Sequence, residues 1–335
     1  MNTTLASAIT KVASKQTYYT IRFLVDRERI DDAYRTYGYF CWIDDVIDAN
    51  SVSENERKSF LKRQKSLLQN CYRGDPPRDI DMQELLLVEL AQRDCEQDSG
   101  LEVYLHNIMQ VMDFDARRRG RLISQVELNQ YTRWLATAVT ENLHYFIGHG
   151  RFAPRHETRY LAVSAAHITH RLRDTYSGLQ AGYYNIPREV LEANRIGPED
   201  VNSDAYRAWA KSRVQLAREY FKAGKSYLAR VQSLRCRLAG FAYIARFEWL
   251  LTTIEEENYL LRPQYSERKR IETGLRMGLS ILSSLTCRKD FCFRNLLHDR
   301  VALHGLLERI RDLNLTLNSI SLCGLSPQNC DKEKS

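Results

Sequence analysis

Glycine and proline are scarce in this chain of 335 residues, which contains 15 glycines and 7 prolines and has long stretches with neither. Such stretches favour helices over a sheet, because a sheet needs many turns. Apolar and aromatic residues recur at helical spacing along most of the chain. Hydrophobic residues make up 44% of it, enough for a sizeable core. The sequence therefore predicts an all-α protein.

Polar breaks divide the chain into segments, and we expect one domain of roughly ten helices over residues 14–325. Residues 1–13 are expected to form a short helical lead-in, and the polar residues 326–335 a flexible tail. Ser124 and Glu127 have the spacing of a capping box. The predicted helices are 30–48, 53–72, 82–93, 101–114, 124–148, 158–179, 203–229, 236–261, 267–285 and 291–320.

The net charge of +7 is compatible with nucleic acid, an acidic membrane surface or a phosphorylated substrate. The basic residues are scattered, with the densest run at 117–121, and we interpret them as solvated helix faces. No nucleic-acid-binding module accompanies them, so nucleic acid is not an expected partner. No feature of the sequence indicates an oligomeric state.

The eight cysteines show neither CxxC spacing nor clustering with histidine, which favours a reducing compartment over structural zinc or disulfides. No apolar run approaches the roughly 20 residues of a membrane span, and residues 1–16 lack the apolar core of a signal peptide. We therefore expect a cytoplasmic protein, with peripheral association to a membrane left open.

A first acidic motif lies at the end of the helix predicted over residues 30–48. Asp44 and Asp48 are four residues apart and share a face of this otherwise apolar and aromatic helix. Carboxylates in an apolar pocket suit magnesium and diphosphate, because magnesium prefers oxygen ligands and leaves room for phosphates. The alternative is a pair of exposed acids at a helix end, where the helix dipole disfavours them. The spacing alone leaves both interpretations open.

A second motif, His167 to Glu189, reads His-Ile-Thr-His-Arg-Leu-Arg-Asp-Thr-Tyr-Ser-Gly-Leu-Gln-Ala-Gly-Tyr-Tyr-Asn-Ile-Pro-Arg-Glu. It resembles a pattern of squalene and phytoene synthases, Gln-Leu-Thr-Asn-Ile-x-Arg-Asp-x-x-x-Asp followed by Gly-Arg-x-Tyr-Leu-Pro. The residues in register are Thr169, Arg173, Asp174, Gly182, Ile186 and Pro187.

The first motif is similar to the same family's Tyr-x-x-x-Arg-x-x-Asp-Asp-x-x-Asp. That pattern falls on Tyr37, Cys41, Asp44, Asp45 and Asp48. Weaker matches occur at Ser14-Lys15, Met112-Asp113, Tyr131 to Val139 and Tyr243 to Arg262. The resemblance covers the chain from about residue 14 to about residue 285, in the right order.

The resemblance implies an isoprenoid-synthase-like helical bundle in which two acidic helices face each other across a central cavity. It implies a magnesium-dependent prenyltransferase or terpenoid synthase acting on farnesyl- or geranylgeranyl-type diphosphates. The implied catalytic residues are Asp44, Asp48 and Asp174, and Asp45 and His170 join them as implied Mg²⁺ ligands. The implied substrate-binding residues are Tyr18, Arg22, Tyr37, Cys41 and Arg173. Aromatic candidates for stabilising a carbocation are Tyr18, Tyr37, Tyr39, Phe40, Trp134 and Tyr145.

The sequence departs from the family pattern at six positions. Cys41 and Tyr183 stand where the family has arginines, and Gly178 stands where it has the second aspartate of the second motif. His167 and His170 replace glutamine and asparagine, and Asn185 replaces a tyrosine. We expect His170 or Ser177 to compensate for the missing carboxylate. The alternatives to a two-diphosphate enzyme are a terpene synthase with a single substrate and a non-catalytic isoprenoid-binding protein.

A rival metal site is conceivable within the same helices. Glu141 and His144 have the Glu-x-x-His spacing of di-iron helical bundles, and His167, His170 and Asp174 are further ligand candidates. A second Glu-x-x-His is absent from the sequence, which favours ordinary hydrogen bonding for these two side chains.

Overall fold

Helices account for the secondary structure of the chain. The computed structural model describes residues 3–49 and 51–265, and these contain twelve α-helices and two short 3₁₀ turns but no strand. The helices are α1 (Thr3–Ala13), α2 (Lys15–Leu24), α3 (Ile30–Asp48), α4 (Glu54–Tyr72), α5 (Glu84–Arg93), α6 (Gly100–Arg118), α7 (Gln125–Phe146), α8 (Leu161–Arg173), α9 (Thr175–Ala181), α10 (Arg188–Asn194), α11 (Asp204–Leu228) and α12 (Leu234–Glu256). The 3₁₀ turns are Arg27–Arg29 and Glu157–Tyr160. The predicted all-α fold is confirmed.

Polar side chains fix the starts of two long helices. At α4 the hydroxyl of Ser53 accepts a hydrogen bond from the backbone N–H of Glu56 (3.3 Å), whose carboxylate accepts one from the N–H of Ser53 (2.8 Å). At α7, Ser124 and Glu127 make the same pair of bonds, at 3.2 and 2.8 Å. Each box satisfies N–H groups that have no partner within the helix. The capping box predicted at Ser124 is confirmed.

Small residues allow two helices to approach closely. A Cβ atom added at Gly224 of α11 would lie 2.7 Å from the Cβ of Ala162 on α8. α8 therefore packs along α11, and it also contacts α7 and α12. α6 in turn packs along α7.

A separate small core joins α6 to α7. Its buried members are Val111, Phe114, Ile123, Leu128 and Tyr131. The main core draws on most other helices and also includes Leu105 of α6 and Tyr145 of α7. Tyr39, Phe221 and Tyr227 are among its largest fully buried side chains. The small core fixes the C-terminal half of α6 against α7, and this half of α6 carries part of the candidate site.

The helix predicted over residues 158–179 differs from the structure, because the chain breaks at Asp174 into α8 and α9. The hydroxyl of Thr175 lies 3.0 Å from the carbonyl oxygen of Arg171 and 3.1 Å from that of Leu172. Such local bonds from side chain to backbone compete with the helical ladder and bend helices. This break and the short α10 each add a helix that was not predicted within the described residues.

Three predictions concern residues that the structure does not describe. The helices predicted over 267–285 and 291–320, and the predicted tail, lie outside the described residues. Within the described residues, no helix has the length and apolar character needed to cross a membrane.

Candidate active site

One face of α3 carries the first acidic motif. Tyr37, Cys41 and Asp44 follow one another at intervals of four and three residues, so they share this face. The Tyr37 hydroxyl interacts with the Cys41 thiol and with Ser14 and Thr17 at the start of α2, and burial is the main cause of its raised pKa. Burial also raises the pKa of Cys41, so its thiol stays neutral at pH 7 and supplies no charge.

Asp44 lies on a small cavity between α3 and α6. The cavity has a volume of about 210 Å³. Its lining consists of Asp44, Ile47, Met112, Asp115, Arg118 and Tyr183. Asp44 and Asp45 are both exposed, and of the two only Asp44 is part of this lining. Asp48 is the last residue of α3, and its side chain lies outside the described residues.

The C-terminal half of α6 contributes two charged residues that sequence reasoning missed, Asp115 and Arg118. Arg118 belongs to the basic run that we interpreted as a solvated helix face, but its side chain is only 12% exposed. Its Nε lies 2.6 Å from Oδ1 of Asp115. The only sequence signal was an aspartate three residues before an arginine, which is a common pattern on exposed helices.

Aromatic rings hold the Arg118 guanidinium in place. Its central carbon lies 5.1 Å from the ring centroid of Tyr131 and 4.9 Å from that of Tyr183, both within cation–π range. The Tyr131 hydroxyl donates a hydrogen bond to Oδ2 of Asp115 (2.8 Å). Arg118 therefore presents a fixed positive charge on the cavity that Asp44 lines.

A backbone contact brings Tyr183 to this cavity. The N–H of Gly120, just after α6, donates to the carbonyl of Gly182, just after α9, at 2.7 Å. Both glycines have positive φ angles, +73° and +80°, which a residue with a Cβ adopts at a cost. The two glycines thus join the end of α6 to the segment that carries Tyr183.

The second acidic motif centres on Asp174, at the break between α8 and α9. Nε and Nη2 of Arg173 donate to the two carboxylate oxygens of Asp174 at 2.6 and 2.7 Å, and Nδ1 of His170 lies 3.6 Å from Oδ2. Burial raises the pKa of Asp174, but the hydrogen bonds from His170 and Arg173 outweigh it and lower the pKa to about 2. The His170 ring packs on Phe247 with centroids 4.9 Å apart. The structure thus brings together three of the predicted site residues, and Asp174 is a carboxylate already engaged by its own chain.

Gly178 stands where the family pattern has an aspartate, and the structure has little room for a side chain there. A Cβ at this position would lie 2.9 Å from the carbonyl oxygen of Tyr183 and 3.3 Å from Nδ2 of Asn185. The N–H of Tyr183 donates to the carbonyl of Gly178 at 2.7 Å, so the approaching segment is fixed by the backbone. Ser177 is exposed, and its hydroxyl donates to the carbonyl oxygen of Asp174 (3.2 Å).

Two predicted substrate-binding residues, Tyr18 and Arg22, lie on α2. The ring of Tyr18 stacks on that of Tyr34, with centroids 5.7 Å apart. Arg22 is exposed, and its charge acts on the Tyr34 hydroxyl, whose pKa burial raises to about 12. Neither Tyr18 nor Arg22 lines the cavity next to Asp44.

The remaining aromatic candidates have different surroundings. Tyr39 is fully buried and donates to the amide oxygen of Gln64 (2.9 Å), and Tyr145 is also buried. Trp134 packs on the small core between α6 and α7. Phe40 contacts Tyr104 edge-on at 5.5 Å, and the Asp44 carboxylate adds to burial in raising the pKa of Tyr104. Among these candidates, Phe40 is therefore placed towards Asp44.

The rival metal site does not form. The Glu141 carboxylate accepts hydrogen bonds from Arg159 (2.9 Å) and Tyr160 (2.8 Å). Nε2 of His144 lies 2.8 Å from the hydroxyl of Tyr227, and burial lowers the pKa of this histidine to about 4. Both side chains are satisfied within the protein, as hydrogen-bonded members of the bundle.

No group of three or more His, Cys, Asp and Glu side chains in the described part of the chain could hold a metal ion. The second motif offers magnesium a single carboxylate, because Asp174 has no acidic partner at position 178. The cavity next to Asp44 offers two carboxylates, Asp44 and Asp115, although Asp115 also accepts hydrogen bonds from Arg118 and Tyr131. Magnesium often binds through one or two carboxylates and completes its shell with water and substrate phosphates.

Solved structures share this helical fold. A dehydrosqualene synthase crystallised in complex with a ligand is 14% identical, with a TM-score of 0.63 over 85% of this chain and 97% of that one. The squalene synthase HpnC from Alicyclobacillus acidocaldarius is 16% identical, with a TM-score of 0.63 over 78% of this chain and 95% of that one. The fold is therefore that of the all-α squalene synthases.

The sequence comparison identifies the family. A profile described as squalene/phytoene synthase matches residues 10–273, which is most of the chain. The chain therefore belongs to the squalene/phytoene synthase family. Comparison with curated protein sequences gives no significant match.

Proposed function

We propose that this protein is a magnesium-dependent transferase of prenyl groups that binds a farnesyl- or geranylgeranyl-type diphosphate. The observation that carries the proposal is the convergence of Asp44, Asp115 and Arg118 on one cavity between α3 and α6. Two carboxylates and a fixed cation next to one another suit a magnesium–diphosphate head group. Membership of the family supports the reaction class.

Each residue has a distinct role in this proposal. Asp44 and Asp115 would hold magnesium, which stabilises the negative charge on a departing diphosphate when it is bound. Arg118 donates hydrogen bonds to a diphosphate oxygen, and its charge persists because arginine stays protonated at neutral pH. Tyr131 and Tyr183 restrict the guanidinium to one position, so the donor is oriented before the substrate arrives.

The second motif has a different role in this chain. Arg173 donates to both carboxylate oxygens of Asp174, so we assign this cluster to positioning the guanidinium of Arg173 and not to holding metal. Position 178 has little room for a second aspartate, because a Cβ there would lie 2.9 Å from the carbonyl oxygen of Tyr183. This favours a second candidate function. With one magnesium-binding motif in place of two, the protein would ionise a single prenyl diphosphate, as a terpene synthase does.

Incubation with Mg²⁺ and farnesyl or geranylgeranyl diphosphate tests these assignments by diphosphate release and by the hydrocarbon products. A C30 or C40 product supports coupling of two substrates, whereas a C15 or C20 product supports the single-substrate function. Asp44→Asn and Asp115→Asn are expected to lower the rate by about 100-fold or more, since each removes a charge at the reacting group. Asp113→Asn is the matched control, because Asp113 pairs with Lys65 and Arg117 away from the cavity.

Two outcomes contradict the proposal. If Asp115→Asn keeps the wild-type rate, Asp115 has no role in holding the head group. If the wild type releases no diphosphate from either substrate but binds both, the protein is a non-catalytic isoprenoid-binding member of the family.

A further inference from the structure

A second cavity, larger than the first, lies between α7, α8 and α11. Its volume is about 390 Å³, within the range of about 300–1,000 Å³ typical of small-molecule sites. It shares no lining residue with the cavity next to Asp44. It therefore has no part in the function proposed above.

Positive charge predominates on the walls of this cavity. Arg133 of α7, Arg171 of α8 and Arg213 of α11 all line it, and the single acidic residue in the lining is the exposed Glu157. The charge of Arg213 acts on Arg171, and Arg133 is exposed at the cavity. A site with this composition attracts an anion.

Arg171 lines the cavity from α8. Its guanidinium donates to the carbonyl oxygen of Asn185, but within the described residues its Nε has no hydrogen-bond partner and it forms no ion pair with a carboxylate. Burial, and then the neighbouring charge of Arg118, lower its pKa to about 9. Arg171 is a partly buried cation without a carboxylate partner among the described residues, and a bound anion would offset the cost of its desolvation.

The other walls of the cavity suit an apolar body. Leu128, Ile168, Leu172 and Leu216 line it together with Trp209. Trp209 is 9% exposed, and its indole N–H has no acceptor among the described residues. The indole N–H is itself inaccessible, so Trp209 contributes its apolar ring to this wall and not a hydrogen-bond donor.

We propose that the cavity between α7, α8 and α11 binds a small organic anion that carries a carboxylate or phosphate on an apolar chain. Arg133, Arg171 and Arg213 bind the anionic group, and the leucines and Trp209 contact the chain. This site operates in addition to the proposed transferase site and does not depend on it.

Isothermal titration calorimetry in magnesium-free buffer with chelator tests the proposal, using dodecyl phosphate and laurate below their micellar concentrations. We expect saturable 1:1 binding of at least one of them. Arg133→Gln combined with Arg213→Gln is expected to weaken it by about tenfold or more, since it removes two charged hydrogen-bond donors to the anion. The relative affinities for the two probes distinguish a phosphate from a carboxylate ligand.

Three controls locate the ligand. Lys222→Gln, an exposed charge on α11 outside the lining, should bind like the wild type. Asp44→Asn should also bind like the wild type, which separates this cavity from the transferase site. Arg213→Lys should keep more affinity than Arg213→Gln, and it serves as the second variant if the double variant does not fold, as judged by thermal unfolding.

Several results would overturn the proposal. Among them are no binding of either probe, and affinity in the double variant within twofold of wild type. Binding of inorganic phosphate as tight as that of dodecyl phosphate would show that the apolar walls contribute nothing. Binding of dodecanol as tight as that of either anion would show that the arginines contribute nothing.

Discussion

The guanidinium carbon of Arg118 lies 4.9 Å from the ring centroid of Tyr183, the residue that stands where relatives are expected to carry an arginine. The positive charge that the sequence lacks at position 183 is thus present next to it, on a different helix. Because Arg118 also pairs with Asp115 at 2.6 Å, its position is set by an anion as well as by aromatic rings. This arrangement makes Arg118 the most informative residue of the proposed site to change.

Arg118→Gln is expected to lower the rate of prenyl diphosphate turnover by about 10- to 1,000-fold, because it removes the cation that would bind the diphosphate. Arg118→Lys should retain part of the activity, since lysine keeps the charge but lacks the planar fork. Steady-state kinetics with each prenyl diphosphate measures both effects. Arg117→Gln is the matched control, because Arg117 is exposed and pairs with Asp113. Equal rates for the Arg117 and Arg118 variants would remove Arg118 from the site.

Gly178→Ala is expected to destabilise the fold by up to about 2 kcal/mol. Overpacking against the Tyr183 carbonyl costs about 1–3 kcal/mol, and the better helix propensity of alanine offsets about 1 kcal/mol. Gly178→Asp should lose more stability than Gly178→Ala, because its carboxylate would lie near that carbonyl oxygen. It should gain no magnesium-dependent activity. Urea unfolding measures stability, with the exposed neighbour Ser177→Ala as the control. A stable and more active Gly178→Asp protein would contradict the crowding seen at this position.

Glu84 should contribute stability that depends on pH. Burial raises its pKa, but hydrogen bonds from Arg63, the backbone of Asp81 and Gln64 lower the pKa from 4.5 to about 2. Because the folded pKa is the lower one, this stability is complete above pH 4.5 and is lost as pH falls towards 2.

Glu84→Gln should therefore lose about 2 kcal/mol at pH 7, the size of a hydrogen bond to a charged group, and much less near pH 3. Urea unfolding at both pH values measures this difference. Glu54→Gln, which removes an exposed ion pair with Lys58, should change stability little at either pH. A loss for Glu84→Gln that is the same at pH 3 and pH 7 would show that its charge does not matter.

His144 predicts a second pH effect, in the range between pH 6.5 and pH 4. Burial lowers its pKa from 6.5 to about 4, so in this range the unfolded chain binds the proton more readily than the folded one. Stability therefore falls as pH drops from 6.5 towards 4. His144→Gln should show a smaller difference in unfolding free energy between pH 7.5 and pH 5 than the wild type.

The exposed His106 provides the control for this measurement, since His106→Gln should keep the wild-type pH dependence. His167 is also buried and has a lowered pKa. The difference in unfolding free energy between pH 7.5 and pH 5 should therefore shrink in His144→Gln without vanishing. If the stability of His144→Gln depends on pH as that of the wild type does, the buried His144 is not the cause of the loss of stability at low pH.

Residue periodicity was sufficient to predict the helices but not their interruptions. The prediction of 30–48 matches α3, because a polar break precedes a long run of apolar and aromatic residues. The break at Asp174 was not predictable, because it depends on where the Thr175 hydroxyl finds carbonyl acceptors. Spacing predicts which residues can share a face, but not which hydrogen bond prevails.

The candidate site was predictable only in part, for a similar reason. Asp44 and Asp174 were found from motifs within single segments. Arg118 was missed, because its role depends on Tyr131 and Tyr183, which lie on other segments. Burial of a helical arginine is decided by tertiary packing, which the sequence of α6 alone does not show.

The close approach of the Tyr183 carbonyl to Gly178 restricts the order in which substitutions could rebuild a second acidic motif. An aspartate introduced first would enter a space that the backbone occupies, so the segment from Gly182 to Asn185 would have to be remodelled beforehand. That segment also holds the ring against Arg118, so the remodelling would disturb the cation on which the proposed site depends. We therefore expect that placing the family's aspartate at position 178 requires more than one substitution in this chain.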